Sequence, residues 1–265
     1  MRIIACVNQK GGVGKTTVCA NLACALSEQG QRVLAIDLDP QGHLGQSFGY
    51  FQNRRPGIDA VFTGEQLFPG VINKLSDHLA FVASGPGLQK LESTPKGKGR
   101  GLLLKKAVTA QLAEQYDIIM LDCPPSSGFL VVNALALTTE LVIPVTPDYF
   151  GMSGLSMLLA TVQNFERVLG QYQRKWFVVS RKQSRRLTRD VMRKLEHYFG
   201  DDLAPVHIAE RAVLAECPSF GKPVVTYAPT STSAEEFMAL ARHLLKQESP
   251  TNDKQQTRQR EPVGA

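Results

Sequence analysis

Lys10, Gly11, Gly12, Val13, Gly14, Lys15 and Thr16 follow an apolar run, IIACV, and open a segment of helix-forming residues. Their types and order fit one piece of chemistry, the holding of a phosphate chain. Small residues in succession let backbone N–H groups curl around an anion. The helix that follows turns its unpaired N–H groups and positive dipole end to the same place. On this reading Lys15 sets a point charge on the β and γ phosphates of ATP and the Thr16 hydroxyl completes the coordination of Mg²⁺. Gly11, Gly12, Val13, Gly14 and Thr17 make up the rest of the cradle. The pattern is that of Gly-x4-Gly-Lys-[Ser/Thr] loops with a departure: a second lysine, Lys10, stands at its start.

Two acids stand where they can serve such a loop. Asp122 ends the apolar run DIIML, the place where a nucleotide-binding α/β sheet sets a carboxylate beside Mg²⁺. Asp39 follows a second apolar run, RVLAI, and can reach the γ-phosphate side of the same crevice, to position or activate the attacking water. An aspartate just before Pro40 also suits plain turn capping.

These residues need strands to deliver them. The pattern gives strands at 2–7, Arg32–Ile36, Leu79–Ala83, Asp117–Leu121, Glu140–Val145, Trp176–Ser180 and Pro205–Ile208. It gives helices at 16–29, Leu102–Gln115, Phe129–Thr138, 155–169, Thr188–Phe199 and Ser233–Lys246, the last with Ser233 and Glu236 as a capping box. Gly42–Asp77 holds only short helical pieces, Ser84–Gly101 reads as a surface loop, and CPPSSG after Asp122 is a turn. Short apolar strands alternating with helices imply parallel βαβ units, hence an α/β fold: a mostly parallel twisted sheet with helices on both faces.

The 265 residues, 43% of them hydrophobic, suffice for one sizeable core. The expected layout is one domain over 1–247 and a polar, disordered tail over 248–265. No run is long enough to span a membrane and no signal-peptide layout opens the chain, so a soluble cytoplasmic protein is expected. Cys6, Cys19, Cys24, Cys123 and Cys217 are odd in number and scattered, which suits reduced thiols. No Cys/His cluster has metal-ligand spacing.

KGGVGKTT, DLDPQGH at 37–43, DIIMLDCPPS at 117–126 and ECPSFGKPV at 216–224 together resemble the ParA/Soj branch of the deviant Walker ATPases, related to MinD, over about residues 2–246. The resemblance implies Mg²⁺-dependent ATP hydrolysis by a homodimer that sandwiches two ATP molecules. Lys10 then reaches the partner's nucleotide, Lys15 and Thr16 hold phosphates and Mg²⁺, Asp39 is the hydrolytic acid, and Asp39 and Asp122 are, with Thr16, the residues at the metal. It also implies nonspecific binding to nucleoid DNA and stimulation by a ParB-like protein or cargo adaptor. The cargo would be a plasmid, a chromosome origin or a protein assembly.

The net charge of +6 is unevenly spread. Between Arg174 and Lys194 stand nine lysines and arginines against the single acid Asp190. Part of this block is expected to form an exposed basic face for phosphate backbones; a solvated helix face is the plainer alternative. Arg181, Lys182, Arg185, Arg186, Arg189, Arg211 and Lys222 are the candidate DNA contacts. Lys90, Lys96, Lys98, Arg100, Lys105 and Lys106 form a lesser set. The sequence departs from the family where Val213, not an arginine, precedes Leu214, and where Lys182–Arg186 replaces an Asp-x-Arg segment, so individual contacts do not transfer. Tyr149, Phe150 and Met152 suit a dimer or partner surface or simple packing. A MinD-like or FlhG-like membrane ATPase needs an amphipathic C-terminal helix, which the tail lacks. An iron–sulfur electron-transfer ATPase needs cluster cysteines, of which only Cys123 is placed suggestively.

Overall fold

The computed structural model describes residues 1–51, 55–94, 99–108, 110–147, 159–168, 170–183 and 186–246, without the side chains of 111 and 186–189. Lys96, Lys98, Tyr149, Phe150, Met152, Arg185 and the tail lie outside the described residues.

The strands are β1 (Arg2–Cys6), β2 (Val33–Asp37), β3 (Ile72–Lys74), β4 (Leu79–Val82), β5 (Ile118–Asp122), β6 (Glu140–Val145) and β7 (Arg174–Val179). They form one sheet in the order β3-β4-β2-β5-β1-β6-β7. Every neighbouring pair is parallel except β3 against β4. The helices, in chain order, are α1 (Lys15–Ser27), α2 (His43–Ser47), α3 (Ile58–Thr63), α4 (Phe68–Val71), α5 (Leu88–Ser93), α6 (Leu103–Ala107), α7 (Ala110–Gln115), α8 (Phe129–Leu137), α9 (159–168), α10 (Arg186–Phe199), α11 (Ala212–Glu216), α12 (Val224–Tyr227) and α13 (Thr232–Lys246).

Successive side chains of a strand point to opposite faces, and here both faces are covered. Ile3, Ala5, Leu34, Ile36, Ile119 and Leu121 pack on the side of α8 and α10. Ile4, Cys6, Val33, Ala35, Ile118 and Met120 pack on the side of α1, α12 and α13. The small residues of α1, Ala20, Ala23 and Ala25, are fully or nearly fully buried and let its backbone lie close to its neighbours. Leu22 and Leu26, at 0% exposure, each contribute about 2 kcal/mol of transfer free energy.

Five expectations change. Gly42–Asp77 holds a strand as well as short helical pieces: β3 adds to the sheet edge, antiparallel to β4. Pro205–Ile208 makes no strand: isolated bridges, Phe177 with Leu203 and Lys182 with Ala209, and a bond from the Ile208 N–H to the Val179 carbonyl (2.8 Å) hold this stretch beside β7. Proline at 205 cannot donate to a ladder. The stretch 84–101 is not all loop, because Asp59 accepts the N–H groups of Gly57, Ala60 and Gly87 and so pins the turn from which α5 starts. The Leu102–Gln115 helix is two pieces, its chain turning extended at Val108 (φ −76°, ψ 107°). The cap of α13 is Ser231, whose hydroxyl accepts the Ala234 N–H at 3.2 Å; Ser233 is buried inside the helix and Glu236 serves an arginine instead.

Candidate functional site

The order of the strands puts the carboxyl ends of β1, β2 and β5 side by side. Cys6 pairs in register with Asp122, and Asp122 with Asp37. Crevices at the carboxyl edge of such sheets, where the chain changes direction of winding, are where ligands bind. Here the chain winds from β1 to one side through α1 and β2, and later to the other through β6 and β7.

The loop between β1 and α1 is held by its own polar groups. Asn8 donates from Nδ2 to the Pro144 carbonyl (2.9 Å) and accepts the Lys10 N–H at Oδ1 (2.9 Å). Gly12 (φ 73°) and Gly14 (φ 84°) take left-handed conformations that favour glycine. Gly14 is the N-cap of α1, and no side chain caps that end. The first amides of the helix are thus left for an anion.

The two lysines of the loop differ. Lys15 is 7% exposed, and its Nζ donates to the Lys10 carbonyl at 3.2 Å. Burial holds its pKa below the ordinary lysine value, opposed by the charges of Asp122 and Asp39. Lys10 is half-buried, with Nζ 3.5 Å from the Thr146 hydroxyl.

Asp122 and Asp39 both lie close enough to Lys15 to act on its charge. Asp122 is fully buried, and neither of its carboxylate oxygens has a hydrogen-bond partner at ordinary distance. Burial pushes its pKa up to about 7; the Thr16 hydroxyl nearby pulls it down, Asp39 pushes it up, and Lys15 pulls it down. A buried, unpartnered carboxylate costs several kcal/mol when ionised, a cost that a divalent cation offsets. The pair of Asp122 and the Thr16 hydroxyl therefore fits Mg²⁺, which is hard and takes oxygen ligands. Asp39, 9% exposed, accepts the Gln41 N–H at Oδ1 (3.0 Å), so the turn-capping role is real. Its other oxygen has no hydrogen-bond partner among the described residues.

The sequence reading passed over Asp37. It is fully buried and accepts the backbone N–H groups of Asp39 (3.0 Å) and Gly45 (3.3 Å). Its pKa is raised, first by burial and then by Asp122, with the two backbone bonds opposing. Asp37 shapes the turn that presents Asp39. A polar residue closing an otherwise apolar strand was the available signal. Asn21 was also missed: it links Thr17 O (2.8 Å) to the Val224 N–H (2.6 Å) and ties α1 to α12.

The basic block does not stay together. Arg174 and Lys175 begin β7, so at about 3.3 Å per residue they lie roughly 13 to 17 Å along the strand from its carboxyl end. Lys175 pairs there with Glu166 (2.8 Å). Arg181 and Lys182 are at the carboxyl end. Arg181 pairs with Glu210 (2.5 Å), and Lys182 Nζ is 3.1 Å from His207 Nδ1. Arg211 makes two bonds to Glu236, 2.7 and 2.8 Å. Arg193 and Lys194 are exposed on α10, Arg193 pairing with Asp190 (2.8 Å). Lys222 is exposed in the turn after α11, beside the exposed Phe220. Arg186 and Arg189 lie on α10, their side chains outside the described residues, as is all of Arg185. Beside the phosphate loop a cavity of about 300 Å³ is lined by Gly12, Gly14, Thr17, Ser180, Arg181 and Glu210, among others.

A family model described as an AAA domain matches residues 1–173. The chain is 36% identical over 251 residues to the chromosome-partitioning ATPase Soj of Thermus thermophilus, covering 92% of this chain and 96% of that one. It is 34% identical over 257 residues to the chromosome partitioning protein ParA of Myxococcus xanthus, covering 94% and 89%. Among solved structures it is similar to a cobyrinic acid a,c-diamide synthase from Mycobacterium smegmatis with bound ADP and magnesium. There the TM-score is 0.77 at 27% identity, covering 93% of this chain and 94% of that one.

Proposed function

The chain belongs to the ParA/Soj family of partition ATPases, and from that premise we propose that it works as an ATP-dependent dimer that binds DNA without sequence preference and positions a cargo. The single observation that carries the dimer is the contrast between the two lysines. Lys15 is turned inward, 3.2 Å from the Lys10 carbonyl and within reach of the charges of Asp122 and Asp39. Lys10, in the same loop, is only half-buried, its Nζ 3.5 Å from the Thr146 hydroxyl. A second, less buried cation in the loop suits the nucleotide of a second copy. Two ATP molecules buried face to face need such cations, which makes nucleotide binding and association one event.

Within each site Gly11, Gly12, Val13, Gly14 and Thr17 cradle the phosphates and Lys15 neutralises them. Thr16 and Asp122 would hold Mg²⁺, with Asp39 on the γ-phosphate side; the ion would neutralise charge on the phosphate oxygens. Asp39 orients the attacking water through the oxygen that the turn leaves unused. Loss of the γ-phosphate removes what both copies were holding, and the dimer parts.

For DNA, the exposed cations Arg193, Lys194 and Lys222, with Arg185, Arg186 and Arg189, are the candidates for backbone contact. Arg181, Lys182 and Arg211 have local partners and are weaker candidates. A nucleoid-bound dimer, released when a ParB-like protein or cargo adaptor stimulates hydrolysis, is the cycle proposed. The cargo is a plasmid, a chromosome origin or a protein assembly.

Analytical ultracentrifugation with Mg-ATP tests this reading. Asp39→Ala should form a lasting dimer, and Lys10→Ala should bind ATP as a monomer. A Lys10→Ala chain that dimerises like the wild type would remove the lysine from the interface and with it the main support for the reading.

A further inference from the structure

Ser180 and Arg181 follow β7 directly, 167 and 169 residues from the two backbone groups that they touch. The Ser180 hydroxyl donates to the Val13 carbonyl at 2.6 Å, and the Arg181 guanidinium donates from Nη1 to the Gly12 carbonyl at 2.9 Å. Two successive carbonyls of the phosphate loop are thus held from the same side. The peptide bonds are trans, so the N–H that shares each peptide plane points the opposite way. For Gly12 and Val13 those are the amides of Val13 and Gly14, and both must turn away from β7. The sheet order decides what they turn towards: β1 lies between β6 and β7 on one side and β5 and β2, with Asp122 and Asp39, on the other.

The arginine is itself fixed. Glu210 accepts from its Nε (3.0 Å) and Nη2 (2.5 Å), also accepts from Gln183, and donates its own backbone N–H to the Lys182 carbonyl (3.1 Å). Arg181 has φ 52°, and among the described residues it is the one non-glycine in the left-handed region. Such strain persists where the surroundings impose it, and it clusters at functional sites. The pair also borders the cavity of about 300 Å³ that runs on from the loop, a size suited to the remainder of a small ligand.

We propose that Ser180 and Arg181, anchored by Glu210, are positioning residues that brace the phosphate loop from behind and aim the Val13 and Gly14 amides at the nucleotide's phosphates. Preorganised donors cost no rearrangement when the anion arrives. The brace gives Arg181 work at the loop in place of DNA. It rests on nucleotide binding at the loop, and on neither dimerisation nor DNA binding.

The test is the affinity of the full chain for a fluorescent ADP derivative, together with the amide signals of Val13 and Gly14 in ¹⁵N-labelled protein. Arg181→Ala should weaken ADP binding by about tenfold, the scale of one charge-assisted hydrogen bond. It should also move both amide signals before any nucleotide is added. Arg181→Lys should restore part of both, and Glu210→Gln, which keeps the arginine and loosens its anchor, should fall between. If Arg181→Ala melts below the working temperature, Arg181→Lys and Glu210→Gln carry the test. ADP affinity within twofold of wild type in the folded variants, with unmoved amide signals, would overturn the brace. So would a loss of DNA binding alone. Lys15→Ala, run alongside, separates the two readings: its binding ADP normally would mean that the loop is not the nucleotide site at all.

Discussion

The phosphate loop and the basic block are both conspicuous in the sequence, and folding treats them differently. Lys10 to Thr16 remain one object, because the chemistry lies in consecutive backbone groups and in a helix end that the same residues begin. The cations between Arg174 and Lys194 are divided among the start of an edge strand, its far end and a helix, and several acquire acidic partners: Glu166, Glu210 and Asp190. Glu166 and Glu210 come from outside the run. A motif written in backbone geometry survives folding as written. A charge count has no geometry until the strands and helices assign it one.

That contrast can be tested from its strongest side. Lys15→Ala removes the buried cation of the loop, and Mg-ATP affinity should fall by on the order of 100-fold or more, measured by calorimetry. Charge-assisted contacts in a dry site are worth several times an exposed one. Normal binding would break the contrast at its root.

Asp122 gives the next effect, and its sign follows from burial. Its folded pKa, about 7, lies above the ordinary carboxylate value. The folded chain therefore keeps a proton that the unfolded chain has lost, and the stability of the nucleotide-free protein should fall as pH rises from about 4 to about 7. Asp122→Asn should flatten that slope and be the more stable protein above pH 7, while binding Mg-ATP less well. Chemical denaturation across pH checks it. A wild type that gains stability over this window through a slope that Asp122→Asn removes would contradict the assignment.

The smallest effect belongs to the basic block. Arg193→Glu with Lys194→Glu should weaken binding of the ATP-bound protein to duplex DNA by roughly tenfold at moderate salt and make its salt dependence shallower. Dimerisation should be untouched. If the pair changes nothing while Lys175→Glu does, the DNA face is at the other end of β7.

Much of the fold was legible. Runs such as IIAC, VLAI and IIML are apolar at every position, as a strand covered on both faces requires, and are too short for a helix. Their spacing by helices made the parallel sheet follow. The errors fall where local pattern and long-range contact compete. Pro205–Ile208 has strand-like residues but lacks a donor for the ladder. The stretch near Asp59 looked loose because its three backbone bonds to one carboxylate have no sequence signature. The Ser233–Glu236 spacing matched a cap, yet Ser231 does the capping, since Arg211 claims Glu236 from another segment.

The sequence by itself determined which charged and hydroxyl side chains meet at the crevice. Lys15, Thr16, Asp39 and Asp122 each sit at the end of a strand or the start of a helix, and those ends can be read from hydrophobic period alone. Only the tertiary structure decided which groups stand behind them. Asp37 beneath Asp39, Asn21 between α1 and α12, and Ser180 and Arg181 on the carbonyls of Val13 and Gly12 are all set by contacts far apart in the chain or by burial. Such contacts follow from strand order, and strand order is fixed by the packing of the whole core and by no local spacing.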